Sequence, residues 1–95
     1  MATIKVIMTE SFNKKITKLE WKNIYSFEKF DRDINFFIEN ENNSKWRKHK
    51  LSWLKDTFSI SLGYDLRALY FYIKNKKDWI IEYVFFDIWD RDEVY

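Results

Sequence analysis

The stretch TFSISLGYDLRALYFYI, residues 57–73, decides the fold because its hydrophobic pattern has a period of two. Its first part alternates large apolar with small polar side chains, which predicts a half-buried strand. The apolar members are Phe58, Ile60 and Leu62, and the polar ones are Ser59 and Ser61. Gly63, the only glycine, follows where a tight reversal needs it. Residues 66–73 are apolar on both faces apart from Arg67, so the stretch predicts a β-hairpin with a central second strand.

The flanking segments supply the other elements. WIIEYVFFDI (79–88) follows a polar turn at 74–78 and predicts a third antiparallel strand, and TIKVIM (3–8) predicts a strand at the beginning. Between them, apolar residues at helical spacing predict a short helix with Thr9 as a candidate N-cap and a longer helix over roughly 22–40. A polar loop at 39–45 follows. The order β-α-α-β-β-β predicts one α+β domain over residues 1–95, with a two-helix hairpin on a twisted antiparallel sheet.

Composition bounds the kind of protein. The chain has 95 residues, of which 46% are hydrophobic and 34% charged, as in a small globular domain. It has no cysteine, which excludes disulfides and thiolate metal sites, and no apolar run near the ~20 residues of a membrane span. The first residues lack the pattern of a secretory signal, so we expect a cytoplasmic protein with no membrane partner. The net charge is only +2, but KWRKHK (45–50) concentrates four positive charges around Trp46 and the only histidine.

Three motifs resemble a known family. They are HKL (49–51) before the first hairpin strand, SISLGYDLRALY (59–70) through the hairpin, and DEVY (92–95) at the end. In this order and spacing the chain resembles the RelE/ParE superfamily of type II toxin–antitoxin toxins, in particular its RelE and YafQ-like mRNA interferases. The resemblance covers essentially the whole chain and is most specific over residues 48–95. It implies a RelE-like, microbial-RNase-like fold.

The resemblance also implies an activity and its partners. The implied protein is a ribosome-dependent endoribonuclease that cleaves mRNA in the ribosomal A site, uses no cofactor or metal, and is neutralised by a cognate antitoxin. The site positions that carry over are His49 and Lys50 from HKL, Asp65 and Arg67 from the hairpin, and the terminal aromatic Tyr95. YafQ-like members commonly read IGTHDEVY or GTHxxLF at the end, with a catalytic histidine. This chain reads IWDRDEVY, so Arg91 stands in place of that histidine, as arginines do in this part of RelE.

The chemistry of RNA cleavage assigns roles to these residues. Attack by a 2′-OH needs a base, positive charge at the phosphate, and a proton for the leaving 5′-oxygen. His49 is the candidate base, because an unperturbed imidazole titrates near pH ~6.5. Arg67 and Arg91 are candidate phosphate ligands, since a guanidinium fork fits a phosphate. Tyr95 and Lys50 are candidate proton carriers if their pKa values fall from ~10.

Other polar and aromatic residues are candidates for RNA contact, each with a structural alternative. The candidates are Lys45, Arg47, Lys48, Tyr64 and Asp65. The basic segment is either a solvated face or a nucleic-acid surface, and the interleaved Trp46 favours the second. Arg67 could instead pair with Asp65 or Glu82 across the sheet. Trp53, Trp79 and Trp89 are assigned to core or rim packing rather than to base stacking.

Three other functions stay open at this point. The carboxylates Asp87, Asp90, Asp92 and Glu93 could bind Mg²⁺ in a metal nuclease, although they sit at one strand end with no second acidic cluster. A ParE-like inhibitor of DNA gyrase would share the fold without the nuclease activity. A non-catalytic binder would keep the fold with a site that has decayed, as the arginine at 91 and the acidic tail would allow.

Overall fold

The computed structural model describes residues 3–63 and 65–90. Five strands, two helices and a single 3₁₀ turn form in these ranges. In chain order they are β1 (Thr3–Met8), α1 (Glu10–Trp21), α2 (Phe27–Glu39), the 3₁₀ turn (Ser44–Trp46), β2 (His49–Lys50), β3 (Thr57–Gly63), β4 (Leu66–Asn75) and β5 (Ile80–Trp89). No helix in the described ranges is long and apolar enough to cross a membrane.

The sheet has the strand order β1-β5-β4-β3-β2. The hairpin predicted from period two is confirmed: β3 and β4 are antiparallel, and β4 is the central strand. The α+β architecture and the β-α-α-β-β-β order are also confirmed. Two features refine them. The first strand pairs in parallel with β5, so the sheet is mixed, and two residues of the segment before the hairpin add β2 to the edge of β3.

Both helices begin at a hydroxyl cap. The Thr9 hydroxyl accepts the Phe12 N–H at 3.3 Å, which confirms Thr9 as the N-cap of α1. The Ser26 hydroxyl accepts the Lys29 N–H at 3.1 Å and begins α2. The second helix therefore starts five residues later than expected from its apolar spacing, because Asn23 takes a left-handed φ of 56° and breaks the helical path.

One aromatic-rich core lies between the helices and the sheet. Phe12, Phe30 and Phe85 form its centre, with ring centroids 5.0–5.8 Å apart. Trp46 completes the core at the far end of α2, where its ring packs edge-on against Phe37 at 5.4 Å. The sheet's other face carries Arg67 and the residues paired with it, and this second face holds the candidate site.

Candidate active site

Arg67 reaches across β3 toward the strand that carries the histidine. Its Nε–H donates to the Ser59 hydroxyl at 3.1 Å, and its Nη2 donates to the Ser59 carbonyl at 3.2 Å. The same Nη2 also donates to the carbonyl of Arg47, two residues before His49. The guanidinium therefore lies over β3, against the segment that leads into β2.

His49 lies on the same face of the sheet as Arg67. It is exposed, and its backbone is paired directly with Ser59, which is paired in turn with Leu69. Because paired residues and residues two apart share a face, His49, Ser59 and Arg67 project to one side. Strands β2 and β4 are separated by two strand spacings, about 9.6 Å, and the extended Arg67 side chain covers much of that distance. The two main candidates from the sequence are thus brought together.

Ser59 is a site residue that the sequence analysis did not single out. It is buried, at 4% exposure, and supplies both its hydroxyl and its carbonyl to Arg67. The sequence does place Ser59 as a small polar residue between apolar ones. The sequence does not show that Arg67 is the partner of Ser59, because their diagonal contact depends on the hairpin register.

The alternative pairing of Arg67 with Glu82 is wrong. Glu82 lies opposite Ile73, six residues along β4 from Arg67, which corresponds to about 20 Å of strand. Asp65, the other proposed partner, is exposed in the turn between β3 and β4 and has a left-handed φ of 61°. Short polar side chains tolerate this conformation, which closes the turn begun by Gly63 at φ 80°.

The basic segment divides between the two faces of the sheet. Lys50 is paired with Phe58 and so projects to the face opposite His49, away from Arg67. Lys48 also lies on that side: its Nζ is 4.6 Å from the Phe58 ring centroid and 3.4 Å from the Glu41 carboxylate. Lys45 is exposed, with its ammonium 4.5 Å from the Phe36 ring centroid. Arg47 is exposed as well, and its left-handed φ of 44° accompanies the turn of the chain into β2.

The expectation that Trp46 favours a nucleic-acid surface is wrong. The indole is 1% exposed and its N–H donates to the Asn40 carbonyl at 3.1 Å. The ring is therefore part of the core and fixes the loop between α2 and β2. The charged residues around it are directed outward because the indole occupies the inner side.

The far side of Arg67 is bounded by Trp89 and Asp87. Trp89 is paired directly with Arg67, and its indole N–H donates to the Asp87 carboxylate at 2.8 Å. The other oxygen of that carboxylate is 2.7 Å from the Lys15 ammonium, which extends from α1 past the end of the β1 pairing. Asp87 thus shares the face of Arg67, but its charge is balanced by Lys15. Within the described ranges, no group of three or more His, Asp or Glu side chains is arranged to bind a metal ion.

Five residues named in the sequence analysis lie outside the described residues. They are Tyr64, Arg91, Asp92, Glu93 and Tyr95. Their roles stay predictions from the sequence. Asp90 is described and lines a small groove with Lys15 and Lys18 of α1 and with Lys22, the residue after that helix.

Two tyrosines in the core have strongly raised pKa values. Burial, the Glu41 carboxylate and a hydrogen bond to it raise the pKa of Tyr83 to about 12. Burial and the same carboxylate also raise the pKa of Tyr70. Glu41 accepts from Tyr83 at 3.3 Å and from Lys48 at 3.4 Å, so it ties the core to the basic loop. These tyrosines stay neutral at physiological pH and belong to the core rather than to the site.

Comparisons with known proteins rest on structure. No family model and no curated protein matches the sequence. The crystal structure of YafQ from Escherichia coli aligns with a TM-score of 0.65 at 16% identity, covering 98% of this chain and 99% of that one. The chain has the fold of the YafQ toxin. A metal-bound toxin from Helicobacter pylori aligns with a TM-score of 0.62 at 24% identity, covering all of both chains. Two structures of the E. coli DinJ–YafQ complex align with TM-scores of 0.58 and 0.59 at 18% and 15% identity, each covering 86% of this chain and 89% and 88% of the aligned chain.

Proposed function

We propose that this protein is the toxin of a type II toxin–antitoxin pair and that it cleaves mRNA in the ribosomal A site. The observation that carries the proposal is the reach of Arg67 across β3 to the Arg47 carbonyl, next to the strand that holds His49. The guanidinium of Arg67, as a phosphate ligand, and the chain's only imidazole then share one face of the sheet. The fold common to this chain and YafQ supports the toxin assignment, and the DinJ–YafQ complex supports a protein antitoxin as partner.

The proposed reaction is an internal transesterification. His49 accepts the proton of the 2′-OH as its oxygen attacks the adjacent phosphorus. Arg67 stabilises the negative charge that develops on the phosphate oxygens, and Arg91 supplies a second positive charge. Tyr95 gives a proton to the 5′-oxygen as its bond to phosphorus breaks. The products are a 2′,3′-cyclic phosphate and a 5′-hydroxyl, and no cofactor takes part.

The other predicted residues have peripheral roles in this proposal. Lys50 and Lys48 project from the face opposite His49, so we assign them to RNA contact rather than to proton transfer. Arg47 and Lys45 are exposed near the site and are proposed to contact phosphates of the mRNA or of the ribosome. Asp65 and Tyr64 are proposed to contact RNA from the hairpin turn. We propose a cytoplasmic location, as translation requires.

The test is cleavage of a short mRNA on purified ribosomes, mapped by primer extension. Because the His49 side chain is exposed, His49→Ala should fold normally and lower the cleavage rate about 10²- to 10⁴-fold. Arg67→Lys keeps the charge but loses the fork and should lower the rate about 10²-fold. Arg32→Lys, the same change at an exposed position of α2, should cleave at the wild-type rate.

Melting temperatures distinguish a variant that has lost catalysis from one that has lost its folded structure. Arg67 ties β3 to the segment before β2, so its variants should also lose stability, whereas His49→Ala should not. Full cleavage by a variant with Ala at 49, 67 and 95 would contradict the nuclease assignment. Inhibition of DNA gyrase by a protein that leaves mRNA intact would establish the ParE-like alternative instead. Growth rescue and co-purification with the product of the adjacent reading frame test the antitoxin pairing.

A further inference from the structure

Trp53 is a large apolar side chain that the fold leaves in solvent. It lies in the loop 51–56 between β2 and β3 and is 65% exposed, whereas Trp46 only seven positions earlier is 1% exposed. A tryptophan used only for packing buries most of its ring, because that burial is the source of its stabilising effect. The exposure of Trp53 therefore excludes the core half of the expected core or rim packing, and it leaves most of the ring available for another use.

The ring of Trp53 is parallel to the ring of Trp89. The two planes differ by 6° and the ring centroids are 6.5 Å apart. Trp89 is half-buried, and its indole N–H is bound by Asp87, which is held in turn by Lys15. The ring of Trp89 is thus held in a fixed orientation, and the parallel ring of Trp53 lies further out in solvent. Parallel aromatic planes with an open face are the arrangement on which unpaired nucleobases stack.

The position of the pair connects it to the candidate active site. Trp89 is the direct cross-strand neighbour of Arg67, with the two side chains on one face of the sheet. A base lying on the tryptophan pair would therefore have its phosphate near the guanidinium of Arg67. The positive charge of Arg67 favours a polyanion over an apolar peptide at this place. Single-stranded nucleic acid offers both the planar ring and the phosphate.

We propose that Trp53 and Trp89 form a stacking platform for one unpaired base of the RNA, next to the phosphate bound at Arg67. The platform would position the strand for cleavage and would contribute to the choice of the cleaved nucleotide. That the bound strand is RNA rests on the proposed function, whereas the stacking itself rests on the two tryptophans. Trp53 is a positioning residue in this proposal and takes no part in proton transfer.

Binding of a non-cleavable oligonucleotide tests the platform separately from the nuclease. The probe is a short single-stranded oligonucleotide with 2′-O-methyl riboses, titrated by fluorescence anisotropy at a fixed physiological salt concentration. Trp53→Ala should weaken binding about 5- to 150-fold, the range expected for the loss of one stacked base. Trp53→Phe keeps an aromatic face and should retain most of the affinity. Equal melting temperatures would show that each variant is folded.

Trp79 provides the matched control. It is 68% exposed and precedes β5, whereas Trp89 ends that strand, so the two lie about 33 Å apart along it. Trp79→Ala should bind the probe like the wild type. A set of probes with one abasic site at each position supplies the other half of the test. An abasic site at one of these positions should weaken binding to the wild-type protein by the same factor as Trp53→Ala. The same abasic probe should bind Trp53→Ala no more weakly than the intact probe does.

The outcomes separate this proposal from the proposed function. If Trp53→Ala binds like the wild type while Arg67→Lys and His49→Ala lose cleavage, the platform is refuted and the nuclease assignment stands. If Trp53→Ala loses base-dependent binding in a protein that does not cleave mRNA, the platform stands and the nuclease assignment fails. Equal losses in Trp53→Ala and Trp79→Ala, or wild-type binding insensitive to every abasic site, would refute the platform.

Discussion

Replacing Trp46 with alanine should remove a large part of the stability of the fold. An aromatic side chain of this kind buries about 150–250 Å², worth roughly 4–6 kcal/mol at ~25 cal/mol per Å² as an upper bound. Truncations of buried aromatic residues to alanine typically cost about 3–5 kcal/mol. Trp46 is 1% exposed and also donates a hydrogen bond to Asn40, so we expect a loss in that range. A 95-residue domain has about 5–14 kcal/mol in total, so the loss is roughly a fifth or more.

Urea unfolding followed by far-UV circular dichroism measures this loss without relying on tryptophan fluorescence. Trp21→Ala is the control, because Trp21 is 84% exposed and its removal should change the free energy of unfolding by less than about 0.5 kcal/mol. Trp46→Phe keeps a ring but loses the indole N–H, and it should fall between the two. A loss below about 1 kcal/mol for Trp46→Ala, or equal losses for both alanine variants, would refute the assignment of Trp46 to the core.

Two further predictions concern Tyr83 and Gly63. Folding raises the pKa of Tyr83 to about 12, so the unfolded chain, titrating near ~10, ionises first. The resulting stabilisation is complete below the unfolded pKa and is lost as the pH rises from the unfolded to the folded pKa. Urea unfolding between pH 9 and 11 should therefore decline less steeply for Tyr83→Phe than for the wild type, and equal slopes would contradict the shift. At Gly63 a Cβ would meet nothing within 4 Å, but φ is 80°, so Gly63→Ala should cost about 1–2 kcal/mol of unfolding free energy and Gly63→Asn less.

The parts of the fold that were predictable from sequence have local signals. Period two, the single glycine and the double-sided apolar run predicted the hairpin because each feature acts within a few residues. Thr9 predicted the start of α1 for the same reason. The start of α2 was misplaced because the left-handed Asn23 interrupts the helical path without a glycine or proline to mark it.

The site was predictable in its residue types but only partly in its geometry. His49 and Arg67 were identified from motif order, and the hairpin register brings Arg67 toward β2. The burial of Trp46 was missed because KWRKHK is charged on both sides of the ring, and the rings that cover Trp46 come from α2. The sequence also did not indicate from which face of the sheet Lys50, a candidate for catalysis, projects. Two residues of β2 are too few to reveal a period, so the face of each depends on its pairing with β3.

A bulge in β5 decides which side chains face Arg67. Leu69 is paired with Asp87 and Tyr70 with Phe85, so Phe86 is the extra residue on β5. Strict alternation would place Asp87 on the same side as Phe85, in the core. With the bulge, Phe85 and Ile88 both stay buried in the core, and Asp87 turns to the opposite face.

The bulge in β5 lies just beyond the end of its pairing with β1. The β1 pairing ends at Met8 opposite Phe85, so the next residues of β5 have no ladder with β1 to preserve. The Phe86 carbonyl instead accepts the Ser11 hydroxyl at 3.0 Å, and Lys15 from α1 passes the open edge to reach Asp87. A buried carboxylate in the core would be strongly unfavourable, whereas on this face it is paired and fixes the Trp89 ring beside Arg67. The apolar run VFF at 84–86 gives no sign of this change of face, which is why the aromatic wall of the site follows from the structure and not from the sequence.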